Sequence, residues 1–393
     1  MALGKGKGRK NLNRTVILFL RFTVEEYQEI IADRERLLML VSRADKAAPF
    51  QNHKKGCPGN HGFTWHEQRV RTLSSYQGDP YKLTIWQVRC LDCGAVYTIL
   101  PSFGLRHERL DAWAAQNLLE ITLMLTNTYR GGQYILGLNH PQDCPLKDPR
   151  TLWQLMMWLG RQSLPTILRR LGLKPPAHAI EDEKFAKEKG EGTYIPMLVQ
   201  GVLIWWIDYV DHSDNWTLGS SFQHFEAELA PAKDWNLAEV CVDGCLTAKI
   251  ALQRGFPGIL IGECHLHAMK SLDKASATYR KAHPKVSEQR TQELRVAYKH
   301  VLDAPTRRHY GQCLRWLDAT FKTDPILQPR YQPLKERATA FTAWTRDDQL
   351  AVMTPLPDQQ CKFLNRKLFS MQTIRTPAGG KATVTAWAIA RNF

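Results

Sequence analysis

The chain has no stretch of about 20 apolar residues of the kind that crosses a bilayer. Its longest apolar run, Tyr194 to Val210, is interrupted by Pro196, Gln200, Gly201 and Asp208, and it reads as two adjacent buried strands. A secretory leader is not expected. The run after the basic start, Val16 to Leu20, stops at Arg21, short of the roughly 7–15 apolar residues that such a leader needs. No Gly-Lys-Ser/Thr follows the early glycines, so a phosphate-cradling loop is excluded. Internal repeats are lacking. Cysteines are few and unpaired: they number 9, and only Cys90 and Cys93 form a close Cys-x-x-Cys pair. That argues against a secreted disulfide framework and for a metal site in an intracellular protein without membrane partners. Acid is short relative to base, 38 Asp+Glu against 53 Lys+Arg, for a net charge of +15. Such an excess favours polyanionic partners.

What is present is globular. The 393 residues are 44% hydrophobic and 23% charged, enough chain for two or three domains with real cores. Residues 1–22 carry Lys5, Lys7, Arg9, Lys10, Arg14 and Arg21 with no acid and interleaved glycines, the pattern of a flexible basic arm that orders on a phosphate backbone. Residues 23–45 read as one helix, with Thr23 and Glu26 spaced as a capping box. Together with the following segment they make an N-terminal region over 23–107.

Cys57 and His61 form one ligand pair, Cys90 and Cys93 a second, with Gly94 suited to the tight turn behind a knuckle. Zn²⁺ takes four tetrahedral N/S ligands, and two knuckles joined by a β-rich excursion supply them. A zinc ribbon with structural Zn²⁺ on Cys57, His61, Cys90 and Cys93 is therefore expected. The weak corner is His61, for which His53 and His66 are rivals.

Residues 108–176 read as helical, and a helix-turn-helix-like reader of DNA is one use for them. Helices are expected from Arg109 to about Asn127, from Pro149 to Leu159 with Asp148 as N-cap, and from Ser163 to near Leu171. Gly131-Gly132 precedes a short segment, Gln133 to Gly137. Arg130, Arg150 and Arg161 are the groove-facing candidates, with Lys5, Lys7, Arg9 and Lys10 on the arm. The helix after Pro149 is so apolar that part of its surface must be core.

From residue 177 the pattern changes to strands: Ala177–Asp182, Met197–Val210, Trp216–Phe222, Ala238–Asp243 and Ile259–Glu263, with a helix at Leu246–Arg254. Strand–helix–strand of this kind implies a parallel pair inside a mixed sheet. Residues 265–350 read as helical again and basic. Asp182 and Asp243 each stand at a strand end, where a carboxylate is exposed on a rigid frame and can hold a divalent ion. Two such ions activate a nucleophile and stabilise the leaving oxygen in phosphodiester cleavage.

At this point the chain resembles a known family. Asp182-Glu-Lys-Phe185, followed by Lys187-Glu-Lys-Gly190, looks like the first-aspartate block of bacterial insertion-sequence DDE transposases. Val242-Asp-Gly244, Ala248-Lys-Ile250, Gly255-Phe-Pro257 and Cys264-His-Leu-His267 are similar to the second-aspartate block. The resemblance covers 177–393. It implies an RNase H-like α/β catalytic domain with a helical insertion at about 268–350, and Mg²⁺ or Mn²⁺ on Asp182 and Asp243. It further implies cleavage and strand transfer at the ends of a mobile element, a homo-oligomer on DNA, and a bacterial cytoplasmic, nucleoid-associated location. The departure is the third acid. Asn365-Arg366 matches the end of the family's late-helix pattern, but Lys362 stands where its glutamate belongs. Asp358, one turn earlier, is the nearest substitute; Glu336, Asp347 and Asp348 are others. A catalytically degenerate DNA-binding derivative is the alternative reading.

Overall fold

The computed structural model describes residues 15–18, 24–47, 50, 53–58, 62–76, 79–101, 103–104, 109–125, 127–140, 142–188, 191–232, 235–282, 288–323, 328–346, 355–370 and 376–392. They form a mixed α/β protein with two sheets, one in each of two compact units: residues 1–122 with 129–153, and residues 123–128 with 154–393. The helical stretch 108–176, expected as a domain of its own, is divided between the two units.

In the first unit the sheet runs in the order β1–β4–β3–β2. Strand β1 (Thr15–Leu18) pairs in parallel with β4 (Val96–Pro101), while β3 (Tyr81–Cys90) is antiparallel to β4 and to β2 (Phe63–Leu73). Four residues of the expected flexible arm are thus strand. Lys5, Lys7, Arg9 and Lys10 lie outside the described residues, as does the expected cap Thr23.

The helix expected over 23–45 is two helices, α1 (Val24–Ala32) and α2 (Arg34–Ala47). Asp33 interrupts it: its side chain accepts from Arg36 N at 3.0 Å, a cap on the second helix that competes with continuing the first. The apolar faces of both helices meet the sheet. Ile30, Leu37 and Val41 are buried with Phe63, Trp86, Val88, Tyr97 and Ile99.

Helices α3 (Ala112–Met124), α4 (Tyr129–Asn139), α5 (Arg150–Leu159) and α6 (Leu164–Arg170) follow. Two start signals hold: Asp148 Oδ1 accepts from Arg150 N at 2.8 Å, and Ser163 Oγ accepts from Thr166 N at 3.2 Å. The pair Gly131-Gly132 does not break the chain but sits inside α4. A Cβ on Gly132 would stand 2.9 Å from Leu152 Cδ1 and 3.0 Å from Thr122 Oγ1, so glycine there serves close helix packing.

The second unit holds a five-stranded sheet in the order β7–β6–β5–β8–β9. Strands β5 (His178–Glu188), β6 (Glu191–Gln200) and β7 (Leu203–Ile207) form an antiparallel meander. Gly201, at φ +57°, makes the turn between β6 and β7. On the other side β5 pairs in parallel with β8 (Glu239–Val242), and β8 with β9 (Leu260–Glu263). The crossover between β8 and β9 is α8 (Leu246–Gly255), as the strand–helix–strand pattern required.

The expected strand Trp216–Phe222 is instead part of α7 (Asn215–Leu229). Asp214 caps it, accepting from Trp216 N and Thr217 N at 2.8 and 2.9 Å. Its buried residues Leu218, Phe222, Phe225 and Leu229 recur at helical spacing. The helical insertion comprises α9 (His265–Ala282), α10 (Glu288–Leu302), α11 (Arg307–Phe321), α12 (Gln328–Glu336) and the short α13 (Ala338–Phe341) around a core of its own, with Leu294, Tyr298, Tyr310, Leu317 and Tyr331 buried.

Helix α14 (Pro355–Ser370) packs on β5 and β6, and α15 (Pro377–Asn392) on β7. Asn392 bonds both backbone groups of Ile204 on the edge strand, donating to its O at 2.8 Å and accepting from its N at 2.9 Å. No described helix is long and apolar enough to cross a membrane.

Candidate metal centre and candidate acidic site

Four ligand atoms from His53, Cys57, Cys90 and Cys93 lie within 4.8 Å of one another in the first unit, a group able to hold a metal ion. His53 Nδ1 is 3.4 Å from Cys93 Sγ and 3.5 Å from Cys57 Sγ; Cys57 Sγ is 4.0 Å from Cys90 Sγ. A tetrahedral zinc with Zn–S near 2.3 Å and Zn–N near 2.0 Å has ligand–ligand edges of about 3.5–3.8 Å. The donor set and the spacing are therefore compatible with structural zinc.

The fold explains why these atoms meet. Cys90 ends β3, and Gly94 turns the chain at φ +62°, a left-handed conformation that favours glycine. That turn is closed by Gly94 N donating to Cys90 O and Cys90 N to Ala95 O, each at 2.9 Å. On the other side Gly56, at φ +84°, bends the loop so that His53 and Cys57 face the same point.

Among the described residues the fourth donor facing the three thiols is His53; the expected His61 lies outside the described residues. His66 is elsewhere, on β2, with Nδ1 2.9 Å from Arg89 Nη2. One functional residue was not read from the sequence at all. Asp45, fully buried at the end of α2, sits 3.2 Å from His53 Nε2 and accepts from Phe50 N at 2.6 Å. It fixes the ring so that Nδ1 faces the thiols, the carboxylate–histidine support usual behind a metal ligand. Burial pushes the Cys90 thiol up to about 11. Burial also opposes ionisation of Cys93, but hydrogen bonds from His53 and from the backbone of Lys54 and Ala95 bring it down to about 6.

The second site lies in the second unit, at the end of the parallel strands. The β5–β8 ladder has Ile180 opposite Cys241 as its last pair; Asp182 and Asp243 each stand two residues further on. Asp182 is buried at 9% exposure, whereas Asp243 is exposed, just past the end of β8. Asp243 Oδ1 accepts from Cys245 N at 2.8 Å, which orients it at the start of α8.

Other acids crowd the pair. Burial, and then Asp243 and Asp182, push Glu183 up to about 7. Glu181 is 1% exposed, and neither of its carboxylate oxygens accepts a hydrogen bond among the described residues. Burial first, then Glu183, Asp182, Asp243 and Cys245, raise it well above the usual carboxylate range. His267 is raised by its hydrogen bond with Cys264 and, more weakly, by Asp182 and Asp243. The two aspartates therefore share one electrostatic neighbourhood with the histidine of the Cys-x-x-His pair.

No third acid closes the site among the described residues, where the His53 cluster is the one group of three or more such ligands within 4.8 Å. Lys362 lies exposed on α14. Asp358 is on the same helix, but its side chain is outside the described residues, as are Asp347 and Asp348. Glu336 is exposed at the end of α12. Of the candidate DNA-contacting arginines, Arg130 and Arg150 are exposed in the first unit and Arg161 in the second. The apolar side chains of α5 divide as expected: Leu152, Leu155, Met156 and Met157 are buried, while Trp153 and Trp158 are exposed.

No family model matches the chain, and no curated protein matches it significantly.

Proposed function

We propose that the chain is a metal-dependent DNA strand-cleavage and strand-transfer enzyme of the DDE transposase type. The observation that carries this reading is the parallel pairing of β5 with β8, with Asp182 and Asp243 two residues past its last pair. A sheet of order β7–β6–β5–β8–β9, antiparallel on one side and parallel on the other, supports an RNase H-like catalytic domain. A helical insertion between β9 and α14 supports it too. In this reading Asp182 and Asp243 bind Mg²⁺ or Mn²⁺, which activates the attacking oxygen and stabilises the leaving one. The His53–Cys57–Cys90–Cys93 centre is a zinc-ribbon structural site. The excess of basic residues neutralises phosphates of element-end and target DNA, on which the protein acts as a homo-oligomer in the bacterial cytoplasm.

The test is nicking of supercoiled plasmid by the full chain with Mg²⁺ or Mn²⁺. Expected is metal-dependent nicking that Asp182→Asn and Asp243→Asn both abolish. Nicking that survives both substitutions would sink the assignment. A second reading, a DNA-binding derivative with an impaired catalytic domain, is favoured by Lys362 at the third-acid position. It predicts DNA binding without nicking, and a gain of nicking on Lys362→Glu.

A further inference from the structure

The return end of the helical insertion meets the sheet beside Asp243, and it is held there in two ways. The first is apolar. Ala343, just past α13, is fully buried against Cys241 of β8 and Cys264 just past β9. His265 Nε2 adds a hydrogen bond to Phe341 O at 3.0 Å. Buried apolar surface of this kind is what docks one element on another.

The second is an ionic hub. Glu263, the last residue of β9, is almost fully buried and takes two cations. Arg337, just before α13, donates from Nη1 to Glu263 Oε2 at 2.7 Å, and Lys249 of α8 bonds Oε1. Desolvation offsets most of the attraction in a buried ion pair, so such a pair adds little net stability; its best-attested use is to fix one register among several.

The Asp243–Gly244 turn lies against this hub. Gly244 has φ +99°, and a Cβ there would stand 3.1 Å from Arg337 Nη1 and 3.5 Å from Glu263 Oε2. Glycine therefore serves both the left-handed turn and the close approach of the ion pair to the backbone next to Asp243. Asp243 Oδ1 in turn accepts from Cys245 N, at the start of the helix that carries Lys249. Glu263 thus joins β9, α8 and the insertion around one turn. Proteins hold Mg²⁺ through one or two carboxylates, which suits the donor set of Asp182 and Asp243. A ligating carboxylate depends on the groups that fix its direction.

We propose that Arg337 is the positioning residue of Asp243: through Glu263 it holds the turn so that the Asp243 carboxylate stays aimed at the divalent ion. The assignment rests on the metal-site reading above and deepens it, since the insertion then governs metal affinity from outside the ligand set. Charge and geometry act in opposite directions at this place. An arginine beside a divalent cation repels it, so losing the charge alone tightens metal binding. Losing a positioning contact loosens it.

The test is Mn²⁺ binding to the full chain, followed by electron paramagnetic resonance, with Asp243→Asn marking the share that belongs to the acidic site. Arg337→Gln is expected to weaken that share about tenfold. Its melting temperature should stay within a few degrees, because Arg337 is only half-buried and the apolar contacts remain. Arg337→Lys, which keeps a donor for Glu263, should recover most of the affinity. An unmodified chain with no Asp243-dependent Mn²⁺ binding would overturn the metal-site reading and this assignment together. Asp243-dependent binding that is unchanged or tighter in Arg337→Gln would overturn the positioning role alone. So would a loss that Arg337→Lys does not recover, or one matched by a large fall in melting temperature, which would make Arg337 part of the scaffold.

Discussion

The two sites use the same elements of chemistry in opposite states of completion. The His53–Cys57–Cys90–Cys93 centre is closed: four donors face one point, and Asp45 steadies one of them from behind. The Asp182–Asp243 site is open, with two acids at strand ends, further acids crowding it, and no third ligand drawn in among the described residues. Structural metal sites are saturated by protein ligands, whereas catalytic ones keep positions free for water and substrate. In the proposed reading, the closed site is the one the first unit needs in order to form, and the open one is where a reactant enters.

The largest effect should come from breaking the closed site. Cys90→Ser is expected to abolish binding of about one zinc per chain and to unfold the β2–β4 sheet, because apparent zinc-binding energies on the order of 10 kcal/mol are folding energy. Elemental analysis and amide exchange report it; a fully metallated, protected sheet in that variant would refute the closed reading. Next is the open site. Asp243→Asn should lower metal-dependent nicking about a thousandfold, some 4 kcal/mol of transition-state stabilisation, with little change in melting temperature. Equal losses of activity and melting temperature would make Asp243 structural.

A smaller effect separates ligand from support. Asp45→Asn should weaken zinc binding about 10- to 100-fold in chelator competition without eliminating it. Complete loss would promote Asp45 to an indispensable group. The smallest prediction concerns the scaffold behind the open site, where Lys367 is buried on α14 and donates to Asn127 O at 3.1 Å. Burial pulls its ammonium from 10.5 down to about 8. Between those values the unfolded chain binds more protons than the native one, so stability rises with pH there. Below pH 8 the cost is fully present. Lys367→Met should therefore raise stability at pH 7 by roughly 1–3 kcal/mol, measured by urea unfolding, with the gain fading as pH approaches 10.5. A gain independent of pH would assign it to packing instead.

Sequence reading was strongest where chemistry is local. Three of the four clustered thiol and imidazole groups and the α8 crossover follow from spacing and from apolar or β-branched runs, whereas the pairing of the Asp182 and Asp243 strands is expected from the family resemblance. The place of His53 did not follow from spacing, because several histidines flank Cys57 and it is Asp45 on α2 that holds the His53 ring toward the thiols. Trp216-Thr217 reads as strand by composition. The cap at Asp214 and the spacing of Leu218, Phe222, Phe225 and Leu229 make it helix. Gly131-Gly132 reads as a break, yet it is a packing surface that only the neighbouring side chains reveal. A third acid could not be assigned from the sequence, because the register of α14 depends on how a separate helical core is inserted before it.

The bond between Asn392 and Ile204 spans 188 residues. At a synthesis rate of roughly 5–20 residues per second, β7 leaves the ribosome on the order of 10–40 seconds before its partner. During that interval the outer edge of the meander offers Ile204 N–H and C=O to any extended chain nearby. Asn392 thus serves as a late plug on a sticky edge, and the second unit is most exposed to misassociation while it is still being made.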